Sequence, residues 1–282
     1  MTSSTTLIVG CGDLGTEIGL RLVGADSRVI GWRRSLPAAP SPFEFRSVDV
    51  TSSVEIPAEV THLVVCLAPR RDGSDDYETT YISGLRNVLD AFRRRGTLPK
   101  RAVLVSSTAA YGSVTGYVDE QTPILAPTGR AKIVLEAETM FRNALGEHGT
   151  VLRCGGIYGP GRTYLIDQVR AGDAVILQES AMTNRIHRDD AAAAVVHLLR
   201  CASVAPLYLG VDEEPVEKAK VLDFLAELLG APHPRRGSAS RERGGSRSCD
   251  STLLRSTGFR FTYPSYREGY AAILGGIGER HP

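Results

Sequence analysis

The sequence predicts an α/β protein built on a doubly wound parallel sheet and followed by a smaller C-terminal lobe. In the first half of the chain, short apolar runs alternate with longer amphipathic segments, as in repeated strand–helix–strand units. The first run, residues 7–9, stops at a glycine-rich turn, and Leu14, Ile18 and Leu22 then recur every four residues, as on one face of a helix. After residue 161 the alternation loosens, which indicates a second structural part.

The predicted elements follow in a regular order. Runs of β-branched and aliphatic residues predict strands at residues 7–9, 28–32, 45–50, 62–67, 102–105, 150–153 and 207–211. Apolar residues three or four apart predict further helices at residues 75–95, 130–145, 191–199, 216–229 and 266–274. A stretch rich in glycine, serine and arginine, residues 232–249, is expected to be a loop. The chain therefore divides into residues 1–155 and a second lobe, residues 156–282, which is partly interleaved with the sheet.

Composition narrows the class of protein. With 42% hydrophobic and 23% charged residues, the 282-residue chain has the balance of an ordinary globular protein. Its 33 basic residues nearly match its 32 acidic ones, so no overall field favours nucleic acid or a membrane surface. The five cysteines show no Cys-x-x-Cys spacing, and no histidines and carboxylates have metal-ligand spacing. We therefore expect a cytoplasmic protein that binds no metal, no nucleic acid and no membrane.

The turn after the first strand carries the pattern Gly-x-Gly-x-x-Gly between a strand and an amphipathic helix, which is the context this motif requires. Gly10 permits the tight turn, Gly12 lets the backbone approach a diphosphate, and Gly15 lets the helix lie close to the sheet. Asp13 and Leu14 stand where the helix N-terminus offers unpaired N–H groups to an anion. The motif predicts a Rossmann-type dinucleotide-binding domain.

The residues at the end of the second strand indicate which dinucleotide is bound. An acidic residue there would hold a ribose 2′-hydroxyl and repel a 2′-phosphate. This chain has Arg33 and Arg34 instead, with no acid before Glu44. Because guanidinium groups suit a phosphate dianion, we expect NADP rather than NAD as the cofactor. The alternative is that both arginines are solvated surface residues.

Six segments stand in a characteristic order along the chain. They are the glycine turn, Asp49 with Val50, and the runs VSSTAAYG (105–112), RCGGIYGPG (153–161), NRIHRDD (184–190) and FTYPSYREG (261–269). Together they resemble the extended short-chain dehydrogenase/reductase family, in its NAD(P)-dependent epimerase/dehydratase group. The resemblance implies a Rossmann domain for the cofactor and a C-terminal lobe that closes over the substrate. It also places Asp49, Val50, Leu67, Ala68 and Ile157 beside the cofactor.

That family's chemistry rests on a Tyr-x-x-x-Lys pair, in which the tyrosine transfers a proton and the lysine holds the nicotinamide ribose. Here Lys132 matches the lysine, but Thr128 occupies the tyrosine position. An alkyl hydroxyl is too weak an acid to replace a phenol. Ser107 matches the serine that polarises the substrate oxygen, and Tyr81 stands where some members have a helical asparagine. Two of the four expected catalytic positions are altered, as in the atypical members of the family.

Three interpretations of this alteration stay open. The enzyme uses another proton donor, it carries out chemistry that needs none, or it binds the cofactor without turnover. As a substitute donor we prefer Tyr111 to Tyr81 and Tyr158, because Tyr111 follows Ser107 by four residues. Each of these tyrosines has side-chain packing as its alternative role.

Residues of the second lobe are expected to contact the substrate. The expected contacts are Tyr158, Arg185 and His187. The resemblance implies that the arginine can touch a substrate phosphate or carboxylate, and for Arg185 and His187 a role without substrate contact stays equally open. The five arginines between residues 235 and 247 permit two interpretations, a solvated loop or a lid over an anionic substrate.

These observations lead to one function and two alternatives. We expect an NADP-dependent oxidoreductase of the epimerase/dehydratase type that acts on a small polar or anionic substrate. The alternatives are a nucleotide-sugar epimerase or dehydratase, and a non-catalytic dinucleotide-binding sensor or scaffold. Family members pair through the two helices predicted here at residues 75–95 and 130–145, so a homodimer is a further expectation.

Overall fold

The computed structural model describes residues 4–25, 27–68, 77–177, 181–237 and 245–281. The strands in these ranges are β1 (Thr5–Val9), β2 (Arg28–Arg33), β3 (Glu44–Ser47), β4 (His62–Val65), β5 (Arg101–Ser107), β6 (Gly116–Val118), β7 (Gly149–Cys154), β8 (Gly156–Tyr158), β9 (Val175–Leu177), β10 (Met182–Thr183), β11 (Arg185–His187), β12 (Leu207–Gly210), β13 (Val216–Glu217), β14 (Arg235–Gly237) and β15 (Arg247–Cys249). The α-helices are α1 (Asp13–Val23), α2 (Leu85–Arg95), α3 (Gly129–Leu145), α4 (Tyr164–Ala171), α5 (Arg188–Arg200), α6 (Lys218–Leu229), α7 (Thr252–Ser256) and α8 (Tyr266–Leu274).

The main sheet has seven parallel strands in the order β12-β7-β5-β4-β1-β2-β3. From β1 the chain runs outward to β3, returns past β1 to β4, and continues outward to β12. The direction of winding therefore reverses between β1 and β4. This arrangement confirms the predicted doubly wound parallel sheet.

Helices cover both faces of the sheet. Alternate residues of each strand point to opposite faces, so a strand such as β1 contributes to two apolar clusters. On one face, Ile8 belongs to an apolar cluster with residues of α1 and α5. On the other face, Leu7 and Val9 belong to a cluster with residues of α2 and α3. The sheet layer thus includes α5 and β12, which lie beyond residue 155 in the sequence.

Helices α4, α6 and α8 enclose an apolar cluster of their own, which is the core of the second lobe. Helix α8 has the bounds that the sequence predicts. Ser265 begins it with a capping box, in which the Ser265 hydroxyl accepts from the Arg267 N–H and the Glu268 carboxylate accepts from the Ser265 N–H. Outside the main sheet the strands form short pairs, such as β8, which follows β7 along the chain, with β11.

Two predicted segments differ from the structure. Residues 232–249 are not simply a loop, because β14 pairs with β9 and β15 pairs with β6, which gives their backbone groups partners despite the loop-like composition. Within the predicted helix 75–95, a π-helical turn at Thr79–Gly84 precedes α2. Residues 69–76 and 238–244 lie outside the described ranges, so part of each prediction stays untested.

Two features are absent from the described ranges. No helix there is long and apolar enough to cross a membrane. Nor do three or more histidine, cysteine, aspartate or glutamate side chains in those ranges converge as metal ligands would.

Candidate functional site

The glycine turn joins β1 to α1 at the carboxyl edge of the sheet. Gly10 has a φ of +82°, and a Cβ there would lie 2.7 Å from the Cys66 carbonyl oxygen, so only glycine fits. A Cβ on Gly12 would meet no heavy atom within 4 Å, so this part of the turn faces open space. A Cβ on Gly15 would lie 3.2 Å from Cys66 Sγ. The turn therefore has the geometry that the approach of a diphosphate requires.

The thiol of Cys66, which follows β4, contacts the glycine turn. Its Sγ lies 3.3 Å from the Gly10 carbonyl oxygen, to which the thiol donates a hydrogen bond. Burial, with a smaller contribution from Cys11, raises the pKa of Cys66. The side chain therefore stays a neutral thiol donor at pH 7.

A cleft of about 440 Å³ opens at the turn, where the winding of the sheet reverses. Open α/β sheets bind their ligands at this kind of position. Every residue predicted to bind the cofactor lines the cleft, apart from Lys132 and Ile157. The walls also contain residues that the sequence did not single out, namely Trp32, Ser35, Val48, Thr51, Cys66, Thr80 and Arg162. The open helix N-terminus and the basic rim fit a dinucleotide.

The far end of the cleft follows β2 and β3. The Arg33 guanidinium lies 5.8 Å from the centre of the Phe45 ring, and Arg34 is exposed beside it. The Asp49 carboxylate accepts hydrogen bonds from the N–H and the hydroxyl of Thr51, at 2.9 and 2.7 Å. These two arginines stand where an NAD-specific site of this fold would place an acid.

The near end of the cleft is bordered by the carboxylate of Asp13. It accepts hydrogen bonds from Arg162 Nε at 2.7 Å, from Arg188 Nη1 at 2.8 Å and from the His281 N–H at 3.1 Å. Burial opposes its charge, but the hydrogen bonds and the two guanidinium groups outweigh burial and lower the pKa of Asp13. The carboxylate therefore links the glycine turn to the second lobe.

Neither arginine of this link was predicted as a site residue. Arg162 follows the glycines of the segment after β8, and Arg188 begins α5. They lie 149 and 175 positions from Asp13 in the sequence. The sequence positions of the two arginines could have pointed to this contact, because both residues come shortly after strands β8 and β11, which are parallel and end side by side.

The predicted catalytic residues do not form one group. Ser107 ends β5, and its Oγ accepts a hydrogen bond from the Ala109 N–H at 3.1 Å, which leaves the hydroxyl hydrogen for another acceptor. Thr128 precedes α3 and is exposed. Lys132 is exposed in a groove shared with Arg86 of α2, outside the dinucleotide cleft. The catalytic roles of Thr128 and Lys132 stay predictions, and this placement does not support a contact between Lys132 and the cofactor.

Tyr111 and Tyr81 are both held in packed surroundings. The Tyr111 hydroxyl donates to the Asp119 carbonyl oxygen at 2.8 Å, and its ring lies 4.7 Å from the Arg153 guanidinium. Burial outweighs the charge of Arg153 and raises the pKa of Tyr111 to about 12. Tyr81 stacks on Tyr77 with ring centres 4.6 Å apart, and burial raises its pKa as well. Neither ring lines the cleft, so their roles as proton donors stay predictions.

The chain matches the model of a known protein family. The family model of the NAD dependent epimerase/dehydratase family matches residues 6–206. The chain belongs to this family. A nicotinamide dinucleotide is accordingly the cofactor class that fits the cleft.

One relative and two solved structures are similar to this chain. The relative, a 3-diazoavenalumate denitrifying reductase from a Streptomyces species, is 33% identical over 174 residues, which span 54% of this chain and 55% of that protein. A structure from Methylobacillus flagellatus classed as an NAD-dependent epimerase/dehydratase is 33% identical, covers 98% and 99% of the two chains, and has a TM-score of 0.79. UDP-glucuronic acid 4-epimerase from Bacillus cereus, in complex with NAD, shares the fold at 17% identity, with 96% of both chains covered and a TM-score of 0.80.

In this member of the epimerase/dehydratase family, the residues predicted to contact substrate lie inside the second lobe. Tyr158 is buried, and its ring centre lies 4.5 Å from that of Tyr270. Arg185 is also buried and donates from Nη2 to the Thr183 hydroxyl at 2.7 Å. Ile157, predicted to lie beside the cofactor, pairs with Ile186 between β8 and β11. Their assigned roles in binding stay predictions.

His187 precedes α5 and is buried. Its Nδ1 accepts a hydrogen bond from the Asp189 N–H at 3.2 Å, so Nε2 carries the hydrogen of the neutral ring. Nε2 is buried without a hydrogen-bond partner among the described residues. Burial outweighs the charge of Asp189 and lowers the pKa of His187, so the ring is neutral at pH 7. His187 can therefore donate a hydrogen bond but carries no charge for an anionic substrate.

Proposed function

We propose that this protein is an NADP-dependent oxidoreductase that acts on a small polar or anionic substrate without the tyrosine acid of its family. The observation that carries the proposal is the basic rim of the cleft, where Arg33 and Arg34 occupy the end of β2. Two guanidinium groups beside the adenosine position favour a ribose 2′-phosphate over a hydroxyl. Family membership supports the dinucleotide, and the arginines support the choice of NADP.

A bound nicotinamide supplies or accepts a hydride. The chain itself offers Ser107 at the carboxyl end of β5, whose hydroxyl hydrogen can be donated to a substrate oxygen. Thr128 cannot protonate an alkoxide at neutral pH, because an alkyl hydroxyl ionises far less readily than a phenol. We therefore expect substrates that lose a leaving group as they take up hydride, because no alkoxide then remains to be protonated.

The similarity to a denitrifying reductase of a diazo compound supports this class of reaction. When hydride reaches a carbon that bears a diazonium group, a C–H bond forms, the C–N bond breaks, and dinitrogen leaves with the electron pair of that bond. The carbon is reduced by two electrons, and the dinucleotide is oxidised by two. No proton has to be delivered, which matches a site without the family's tyrosine.

Calorimetric titration with NADPH and NADH tests the cofactor choice. We expect NADPH to bind at least about 10-fold more tightly, because each charge-assisted bond to the 2′-phosphate contributes about 1.5–3 kcal/mol. Arg33→Ala should remove most of this preference. Arg46→Ala, at a partly exposed arginine of β3 that pairs with Glu44 and does not line the cleft, is the matched control and should retain it. Tighter binding of NADH, or an unchanged preference in the Arg33 variant, would overturn the choice of NADP.

Turnover distinguishes the oxidoreductase from its two alternatives. NADPH consumption with carbonyl and diazo compounds is expected from the proposed reductase. A nucleotide-sugar epimerase or dehydratase would convert UDP- or dTDP-sugars with no net consumption of dinucleotide. The similarity in fold between this chain and the UDP-glucuronic acid 4-epimerase is the observation that favours the nucleotide-sugar alternative. Tight NADPH binding with no conversion of either substrate class would indicate the sensor or scaffold.

We also propose that the enzyme works in the cytoplasm as a homodimer. All five cysteines are free, which suits a reducing compartment. The outer sides of α2 and α3 form a groove lined by Arg86, Leu135, Met140 and other residues, and family members pair through the corresponding helices. Light scattering should then give a mass near twice 30.3 kDa, and a value near one chain would exclude the dimer.

A further inference from the structure

We propose that Arg162 binds the diphosphate of the dinucleotide, as a ligand that the second lobe supplies to the glycine turn. The inference rests on the proposed function, because it assumes that the cleft holds a dinucleotide. It adds a residue outside the glycine motif to the part of the site that recognises the cofactor backbone. Three observations carry it, namely the place of Arg162, its unused donors and the charge of its neighbour.

Arg162 belongs to a tight loop after β8. Gly159 and Arg162 form an isolated antiparallel bridge across this loop, and the Arg162 N–H donates to the Gly159 carbonyl oxygen at 2.9 Å. Gly159 and Gly161 have φ values of +152° and +68°, in the region that favours glycine. The loop therefore carries Arg162 on a defined backbone to the cleft wall, where it lines the same space as Gly12.

The Arg162 guanidinium is held by a hydrogen bond at Nε, whereas its two terminal nitrogens are available to a ligand. Its Nε donates to Asp13 Oδ2 at 2.7 Å. Within the described ranges, its Nη1 and Nη2 groups have no hydrogen-bond partner, and the side chain is 26% exposed at the cleft wall. Four N–H donors at the tip of a held guanidinium suit the non-bridging oxygens of a diphosphate.

The charge of Asp13 explains why a cation is needed at this point. A carboxylate beside the N-terminus of α1 would repel a diphosphate that binds there. Arg188 does not face the ligand, because its side chain is 1% exposed and its Nε, Nη1 and Nη2 donate to Asp189, Asp13 and the Glu279 carbonyl oxygen. Arg162 is the arginine of this group that reaches the cleft wall.

Three ligands separate this role from a purely structural one. NADPH carries both the diphosphate and the 2′-phosphate, ADP carries only the diphosphate, and adenosine 2′-phosphate carries only the 2′-phosphate. Arg162→Met should weaken NADPH and ADP by about 10- to 100-fold, which corresponds to the loss of one charge-assisted interaction. It should change the affinity for adenosine 2′-phosphate by less than about 2-fold. Arg162→Lys, which keeps the charge but loses the fork, should fall between the wild type and Arg162→Met.

Arg170→Met is the matched control, because Arg170 lies on the neighbouring helix α4 with 62% of its side chain exposed and does not line the cleft. All three affinities should stay at wild-type values in this variant. Thermal melts of each variant show whether the fold is retained. Wild-type affinities for NADPH and ADP in a folded Arg162→Met variant would overturn the inference, as would a parallel loss of all three ligands. A wild type that binds no dinucleotide would refute the proposed function itself, so the two failures are distinct.

Discussion

Two groups of paired charges differ in what surrounds them. The closed cluster consists of Arg153, Glu138 and Ser106. Arg153 donates from Nε and Nη2 to the two Glu138 oxygens at 3.0 and 2.7 Å, and the Ser106 hydroxyl donates to the same carboxylate at 2.6 Å. Glu138 is 1% exposed, and none of the three residues lines the cleft. This cluster ties α3 to β5 and β7.

The open cluster consists of Asp13, Arg162 and Arg188. Its three residues come from the glycine turn, the loop after β8 and the start of α5, so it spans both parts of the chain. Asp13 and Arg162 line the cleft, whereas Arg188 is fully buried. Carboxylate–guanidinium pairs of similar geometry thus occur in two different surroundings. In the closed cluster the charged groups face one another inside the protein, whereas in the open cluster Arg162 has N–H donors at the cleft wall that find no partner within the described ranges.

The largest effect is expected from breaking the closed cluster. Arg153→Met leaves the Glu138 carboxylate buried without its main partner, which should lower the free energy of unfolding by about 3–5 kcal/mol. Urea denaturation measures this loss, and Arg142→Met, at an exposed position of α3, the helix that carries Glu138, is the control. Dinucleotide affinity of the folded Arg153 variant should equal that of the wild type. A stability change below about 1 kcal/mol would contradict the structural role of the cluster.

An intermediate effect is expected from acid on the open cluster. Burial opposes the charge of Asp13, but hydrogen bonds and charges from Arg162, His281 and Arg188 outweigh it and lower the pKa of Asp13. Glu17 lies on the same helix, and His281, Arg21 and Arg188 lower its pKa in the same way. Groups with lowered pKa values in the folded state stabilise it above their unfolded pKa values, near 4. That stabilisation is lost as the pH falls from about 5 through the folded values.

Asp13→Asn isolates the contribution of this carboxylate. Denaturation curves collected from pH 7 to pH 3 should show a shallower loss of stability in the variant than in the wild type, because one titrating group has been removed. Parallel curves for the two proteins would mean that Asp13 does not contribute to the acid sensitivity. Neutral Asn retains an oxygen acceptor for Arg162, so the comparison reports mainly on charge.

The smallest effect is expected at the edge of the closed cluster. Ser106→Ala removes one of the hydrogen bonds to Glu138, while both contacts from Arg153 remain. The free energy of unfolding should fall by about 1 kcal/mol. A loss as large as that of Arg153→Met would show that the serine, rather than the ion pair, holds the cluster together.

The difference between the two clusters also marks what sequence reasoning could reach. The glycine turn and the order of strands were predictable, because they depend on spacing within a few residues and on the alternation of apolar runs. The contact between Asp13 and Arg162 was not, because it joins residues 149 positions apart through a loop whose path only the fold determines.

Two catalytic predictions, which stay untested, depend on side-chain direction. Spacing alone matched Lys132 to the family's lysine, but the orientation of α3 decides where that side chain points, and it is exposed in the groove beside Arg86. The position of Tyr111 after Ser107 suggested a donor, but its hydroxyl is bonded to the Asp119 carbonyl oxygen. Side-chain direction is a property of packing, which a local pattern does not contain.

The placement of α5 and β12 has a consequence for recombination between genes of this family. A fragment ending at residue 155 would retain the glycine turn but lose α5, which packs against α1 and covers Ile8. Strand β7 would become an uncovered edge, since β12 pairs with it in the full chain. Exposed apolar edges of this kind promote aggregation. Exchange of everything after that point by a single crossover would also replace α5 and β12, so the hybrid would have to pack a foreign helix against α1 and a foreign strand against β7, whereas replacement of α4 alone leaves every strand of the sheet in place.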